Sequence, residues 1–385
     1  MIWVDTTHTA HSGARTGVQK VVRAIIRELP GAQPLTFDPF ARHWRELKSW
    51  ERRRLAGAGP VSAKRSAKWP WHARLAGWLD RARATRTPLP SGKAVLLPEI
   101  FGPDVGTHLA TLRQQGQGPI AAVFHDAIAL KLPELSPPAT VARFPSYLRE
   151  LAQCDAIAAV SDDSRRALET FWSWAGIDRP PPVTTLPLGV DRPTLPPSPL
   201  PTGTPVVLCV GTLEGRKNHV SFLSACQMLW SQGLKFEVVL IGHAHQVTGA
   251  TALRKVAELS TTYPLRYYGS VSDADLERAY NASSFTVYPS LMEGFGLPVL
   301  ESVIRGRPCI CGLGGALRET ASGGGCLGVT EPTVNGFASA MATLIQQRPL
   351  LEKLAHEATH RQFRTWQEYS VELECWLLKL ATKAL

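Results

Sequence analysis

The sequence predicts an α/β protein of two successive doubly wound domains, each a mostly parallel sheet clothed in helices, facing a central cleft. Three observations carry this. Short continuous apolar runs alternate with longer amphipathic ones, as they do when parallel strands are buried on both faces. The alternation runs twice, on either side of a proline-rich stretch at 186–205 in which seven of twenty residues are Pro. And 385 residues exceed one typical domain but suit two.

The elements follow in order. MIWVD (1–5) reads as a first strand, and TGVQKVVRAIIREL (16–29) as a helix with Val18, Val21, Val22, Ile25, Ile26 and Leu29 on one face. AVLLPEI (94–100), PIAAVFHD (119–126) and AIAAVS (156–161) read as further buried strands. After the prolines, VVLCVGTL (206–213) opens the second set, and a helix over 219–233 ends at Gly233. FEVVLIG (236–242), LRYYGSV (265–271), FTVYPS (285–290) and PCICGL (308–313) complete it. This places domains at 1–190 and 191–360, with an amphipathic helix in 361–385 expected to pack back on the first.

Composition narrows the class. MIWVDTTHTAHSGARTGVQKV lacks the roughly 7–15-residue apolar core of an export signal. No run approaches the roughly 20 apolar residues of a membrane span. The seven cysteines are scattered without metal-ligand spacing, so a reduced, cytoplasmic protein is expected. Net charge is +10, and the stretch 42–86 accounts for all of it, with thirteen Lys/Arg against three acids and five of the eleven Trp. Any electrostatic partner is addressed there.

Two loops carry the chemistry. In LMEGFGLPVLE (291–301), Glu293 and Glu301 bracket Gly294, Gly296 and Pro298 at a strand-to-helix turn. The glycines let backbone approach a ligand, Pro298 suits a first helical turn, and the helix start offers N–H groups to an anion. Two carboxylates there can reach different hydroxyls of one elongated, anionic ligand. In VGTLEGRKNH (210–219), Arg216 and Lys217 lie beyond the carboxyl end of a parallel strand, where α/β sheets bind ligands, and paired cations suit a diphosphate.

Together these stretches resemble the retaining glycosyltransferases of family 4, whose paired-glutamate motif is matched by EGFGLPVLE and whose phosphate loop is matched by VGTLEGRKN. The resemblance is near-continuous over 269–301, strong over 186–310 and diffuse over 1–185. It implies the GT-B fold, two Rossmann-like domains, the first on the acceptor side and the second binding a nucleoside-diphosphate sugar. It implies that Glu293, with Gly294, Phe295, Gly296 and Leu297, holds the donor sugar, that Glu301 holds the ribose, and that backbone near Gly269 and Val271 holds the base. Arg216 and Lys217 would neutralise the departing diphosphate in place of a metal; no metal and no other cofactor is expected. Gly17 resembles a glycine that approaches the diphosphate from the first domain. His125 resembles a histidine near the reacting sugar, with Asp126 orienting it; a satisfied core histidine is the alternative. Ser161 reads as a helix cap. The Asp-x-Asp of SDAD (272–275) reads as helix capping, not a metal site. The glycine-rich 311–329 departs from the family, and Glu319 receives no role.

The implied activity is metal-independent, retaining transfer of a hexose (mannose or a deoxyhexose) to a growing, lipid-linked bacterial-type surface polysaccharide, such as lipopolysaccharide or capsule. Same-face internal return and double displacement both stay open. So do two other functions: an inactive GT-B scaffold binding membrane or RNA, and a sugar-nucleotide epimerase. For 42–86, Trp44, Trp50, Trp69, Trp71, Arg52, Arg53 and Arg54 suggest an anionic membrane surface on the inner face of the plasma membrane; nucleic acid is not the expected partner.

Overall fold

A computed structural model describes residues 1–13, 16–58, 67–83, 89–115 and 118–383. The sequence-predicted basic residues Lys64, Arg65 and Arg86 lie outside the described residues. The chain divides into two compact units: 1–126 with 142–189 and 366–385, and 127–141 with 190–365.

The first unit holds seven strands: β1 (Ile2–Asp5), β2 (Ala32–Asp38), β3 (His43–Glu46), β4 (Ala94–Leu97), β5 (Ile120–Phe124), β6 (Ala156–Ala159) and β7 (Val183–Thr185). Their order is β3-β2-β1-β4-β5-β6-β7. All pairs are parallel except β2 with β3. Every residue of β1, β4, β5 and β6 is buried, as their unbroken apolar sequences require. The helix Trp366–Lys383 belongs to this unit and contacts the helix Gly17–Glu28 and β4.

The second unit holds β8 (Val206–Val210), β9 (Glu237–Ile241), β10 (Leu265–Tyr268), β11 (Phe285–Tyr288), β12 (Cys309–Gly312) and β13 (Cys326–Val329). The order is β10-β9-β8-β11-β12-β13, all parallel. Its core gathers Val207, Phe222, Leu229, Leu240, Phe285 and Phe337 from strands and flanking helices. In both sheets the winding reverses between two central strands, β1/β4 and β8/β11. Ligands of doubly wound sheets sit beyond the carboxyl ends of such strands.

Four strands escape a reading by apolar runs. β2 (AQPLTFD) carries Pro34 and polar residues, β3 lies in the basic segment, β7 is three residues long, and β13 (CLGV) is interrupted by Gly328. Their pairing neighbours supply what their own sequences lack.

The basic, Trp-rich segment is corrected most. Trp44 is 1 % exposed on β3, edge-on to Phe37 at 5.4 Å, with its indole N–H donating to the His108 carbonyl at 3.3 Å. Trp69 stacks on the buried His11 ring at 3.7 Å, and Trp50 meets the same ring edge-on at 5.4 Å. These three tryptophans pack the first unit because β3 and the helix Ser49–Leu55 fold inward around His11. Arg54 is spent on the Lys68 carbonyl at 3.3 Å, and Arg52 pairs with Glu46 at 3.2 Å. Arg53 is exposed, and so is Trp71, at 77 %.

Candidate functional site

At the winding reversal of the second unit, two loops meet. After β8, residues 215–217 form a short 3-10 turn, and Asn218 takes a left-handed conformation (φ 52°) before the helix His219–Ser231. After β11, the chain runs through Ser290 and Glu293 to Gly296, which caps the helix Leu297–Val303. The Leu291 N–H donates to the Arg216 carbonyl at 2.9 Å, which ties the loops together.

That tie concentrates charge on one oxygen. Glu293 Oε1 accepts from Arg216 Nη1 at 2.9 Å, from Lys217 Nζ at 2.6 Å and from the Ser290 hydroxyl. Lys217 Nζ also bonds the Tyr288 hydroxyl and lies 4.6 Å from the centre of that ring. The other end of the Arg216 fork pairs with Glu214 at 2.8 Å. Burial works to raise the Glu293 carboxyl, but the charges of Arg216 and Lys217 overcome it and hold it at about 2. Burial likewise pulls Lys217 down, against the pull of Glu293. The result is a preorganised, ionised knot with two cations at the mouth of a parallel sheet.

Glycines make the knot possible. Gly296 has φ 97°, and a Cβ there would lie 2.9 Å from Leu317 Cδ2. A Cβ on Gly314 would fall 1.9 Å from the Leu291 carbonyl oxygen, so the loop after β12 passes directly beneath 291–293. The Ala316 N–H donates to the Glu293 carbonyl at 3.0 Å. The unusual glycine content of 311–329 thus has a steric cause.

The Phe295 carbonyl accepts from the Thr320 hydroxyl. Gly294 lies in the loop, and Leu297 is the largely buried first residue of the helix. Glu301 is half-buried on that helix, and its charge acts on Tyr280. Gly269 follows the edge strand β10, with its carbonyl accepting from the Gly242 N–H at 2.9 Å, and Val271 packs against Leu208, Ile241 and Tyr280. Ser272 caps the helix Asp273–Ala282 by accepting from the Asp275 N–H, which is the capping role read for SDAD. Ser161 caps its helix through the Ser164 N–H.

Gly17 and His125 lie in the first unit. Gly17 opens its helix with nothing within 4 Å of a built Cβ. His125 is buried beyond β5, with Nε2 2.7 Å from the Pro98 carbonyl. Burial lowers its pKa, against the hydrogen bond to Pro98 and the charge of Asp126.

Tyr288, Ser290 and Glu214 were missed, although Glu214 lies inside 210–219, and Ser290 and Tyr288 lie one and three residues before 291–301. Also missed was a buried group at the first unit's own winding reversal. Asp5 ends β1, and Glu99 follows β4. Glu99 accepts from the His8 and Thr9 N–H groups at 2.6 and 2.7 Å, while Asp5 accepts from the Thr7 N–H at 2.9 Å. Burial pushes both carboxyls up to about 7, and the charge of Glu99 adds to the shift at Asp5. Beside them, Glu51 accepts from His11 and Arg45, at 2.9 and 2.7 Å; these bonds overcome burial and hold it at about 2.

The two parallel-sheet units have the GT-B glycosyltransferase fold. Over 99 % of both chains, the structure matches sucrose-phosphate synthase from Thermosynechococcus elongatus with a TM-score of 0.69 at 18 % identity. Over 98 % of both chains it matches Anabaena Alr3699/HepE, solved in complex with UDP and glucose, with a TM-score of 0.67 at 15 % identity. Residues 191–361 match the family model for glycosyl transferases group 1. Among relatives, the serotype-specific mannosyltransferase WbdA of Escherichia coli is 25 % identical over 326 residues, covering 80 % of this chain and 38 % of WbdA. The O-antigen chain mannosyltransferase B of Escherichia coli is 32 % identical over 202 residues, covering 49 % of this chain and 51 % of that protein. The chain thus spans only about two fifths to one half of these relatives' length.

Proposed function

We propose that this protein is a retaining, metal-independent glycosyltransferase that moves a hexose from a nucleoside-diphosphate sugar to a growing, lipid-linked bacterial surface polysaccharide. The observation that carries the reading is the knot of Arg216, Lys217 and Glu293 beyond β8 and β11. The relatives named as mannosyltransferases support mannose as the sugar. Seven free cysteines, five of them buried, fit a reducing cytoplasm.

In this reading Arg216 and Lys217 receive the diphosphate and stabilise the charge it gains as it departs. No divalent ion is needed, because the two cations are already fixed by Glu293. Glu293 then turns to the sugar hydroxyls, assisted by the backbone of Gly294, Phe295 and Gly296. Glu301 holds the ribose, and the backbone at Gly269 and Val271 meets the base. Gly17 approaches the diphosphate, and His125 contacts a donor hydroxyl. A carboxylate that already accepts three hydrogen bonds is a poor nucleophile, so the arrangement favours same-face internal return over double displacement.

A thermal-shift panel of GDP, UDP, dTDP, CDP and their sugars, without metal, tests the reading. One base should stand out and add about 2.7 kcal/mol at a hundred times its dissociation constant. Arg216→Ala should abolish the shift. No response to any nucleotide would remove the transferase reading.

A further inference from the structure

The helix Trp71–Ala82 of the first unit is amphipathic in an unusual sense. Its inner face is made of the smallest residues. Ala73 is 2 % exposed, and a Cβ on Gly77 would lie 2.8 Å from Phe40 Cβ, so the helix rests directly on the turn after β2. Its outer face carries the large apolar side chains. Trp71, Leu75, Trp78 and Leu79 are 77, 48, 58 and 44 % exposed. At about 100° per residue these four fall within one stripe roughly 100° wide, opposite Ala73 and Gly77.

Cations border the stripe on both sides. By the same geometry Arg74 and Arg81 lie along one edge and Arg83, the C-cap, along the other, all exposed. Lys68, Arg52 and Arg53 are exposed nearby in the chain. The segment's three acids are elsewhere: Glu51 is buried, Glu46 pairs with Arg52, and Asp80 is half-buried on the far side of the helix from the stripe. An apolar ridge between two rows of positive charge complements a plane of anionic headgroups over acyl chains. Trp favours that boundary, and arginine stems reach from the edge of a submerged ridge to the phosphates. Among the described residues no helix is long and apolar enough to cross a membrane, so such contact would be with the surface.

We propose that the helix Trp71–Ala82 docks this protein on an anionic lipid bilayer, with Trp71, Leu75, Trp78 and Leu79 inserted at the interface and Arg74, Arg81 and Arg83 on the headgroups. This replaces the buried Trp44 and the half-buried Trp50 and Trp69 as the contact. It is independent of the knot of Arg216, Lys217 and Glu293, which lies in the other unit.

The test is co-sedimentation of the full chain with vesicles of phosphatidylcholine alone or mixed with phosphatidylglycerol, together with tryptophan emission. The mixed vesicles should bind the protein, shift its emission to the blue and release it at high salt. Trp71→Ser with Trp78→Ser should weaken binding about 100-fold while leaving far-UV circular dichroism and the nucleotide-induced thermal shift unchanged. Arg74→Gln with Arg81→Gln, which leaves the apolar stripe intact, should weaken it about 5-fold per charge and keeps the test decisive if the tryptophan variant fails to fold. Equal binding to both kinds of vesicle, no binding to either, or full binding by the arginine variant would overturn the proposal. So would a dimer in solution that the tryptophan variant converts to monomer, because a second copy would then cover the stripe.

Discussion

The two sheets reverse their winding in the same way, and each places carboxylates beyond the two central strands. In the second unit Glu293 meets two cations and a hydroxyl, and it stays ionised with a pKa of about 2. In the first, Asp5 and Glu99 meet backbone N–H groups, a threonine and each other, and burial pushes both up to about 7. One topology thus yields opposite electrostatics, decided by what the loops supply. The loop after β8 supplies Arg216 and Lys217; the loop after β1 supplies threonines. A fixed ion cluster can exchange partners with a diphosphate, whereas a carboxyl pair that resists ionisation holds its own loop in place.

The largest effect should come from breaking the ionised side. Lys217→Met keeps the stem but removes the charge, leaving Glu293 largely buried with one cation. Loss of one partner of a buried pair costs about 3–5 kcal/mol, and loss of one donor to developing charge costs about 100- to 1,000-fold in kcat. Urea unfolding and initial rates on the donor found in the thermal-shift panel measure both. A variant of unchanged stability and rate would mean that Arg216 alone organises the site.

The pH dependence should separate the two regions by sign. Glu293, held low, contributes stability that is present above its unfolded value of 4.5 and is lost as pH falls toward about 2. Asp5 and Glu99, held high, act the other way. Their unfolded forms ionise from about 4, so their contribution is full below that value and is lost as pH rises through about 7. Thermal unfolding followed against pH should therefore show Glu293→Gln flattening the acid limb and Asp5→Asn flattening the limb between about 4 and 7, by roughly 3–4 kcal/mol. If Asp5→Asn left that limb unchanged, the first unit would owe its pH response to other groups.

The same contrast explains what could be read without coordinates. Arg216, Lys217, Glu293 and Gly296 each sit in a compact motif at a strand end, so their chemistry is local in sequence. Asp5 and Glu99 carry no motif and meet only because β1 pairs with β4. Trp44 was read as a surface anchor from its basic surroundings; its burial depends on β3 pairing antiparallel with β2, which its own sequence HWRE does not signal. Strands β1, β4, β5, β6, β11 and β12 were legible because burial on both faces writes itself as an unbroken apolar run, whereas β10 (LRYY) is an edge strand with Arg266 and Tyr268 exposed. β2 and β13 borrow their stability from neighbours and so left no such run.

The smallest effect sharpens the comparison at its glycines. Gly296→Ala meets both a left-handed backbone and Leu317 Cδ2 at 2.9 Å, so it should cost about 1–2 kcal/mol and weaken nucleotide binding along with it. Gly17→Ala meets nothing within 4 Å at the exposed start of its helix, so stability should stay within about 0.5 kcal/mol. A fall in donor affinity or rate for Gly17→Ala at unchanged stability would therefore report a ligand approaching that backbone. Unchanged kinetics would instead leave the glycine at the start of the first helix without a part in binding, and His125 as the one first-unit residue proposed to meet the donor.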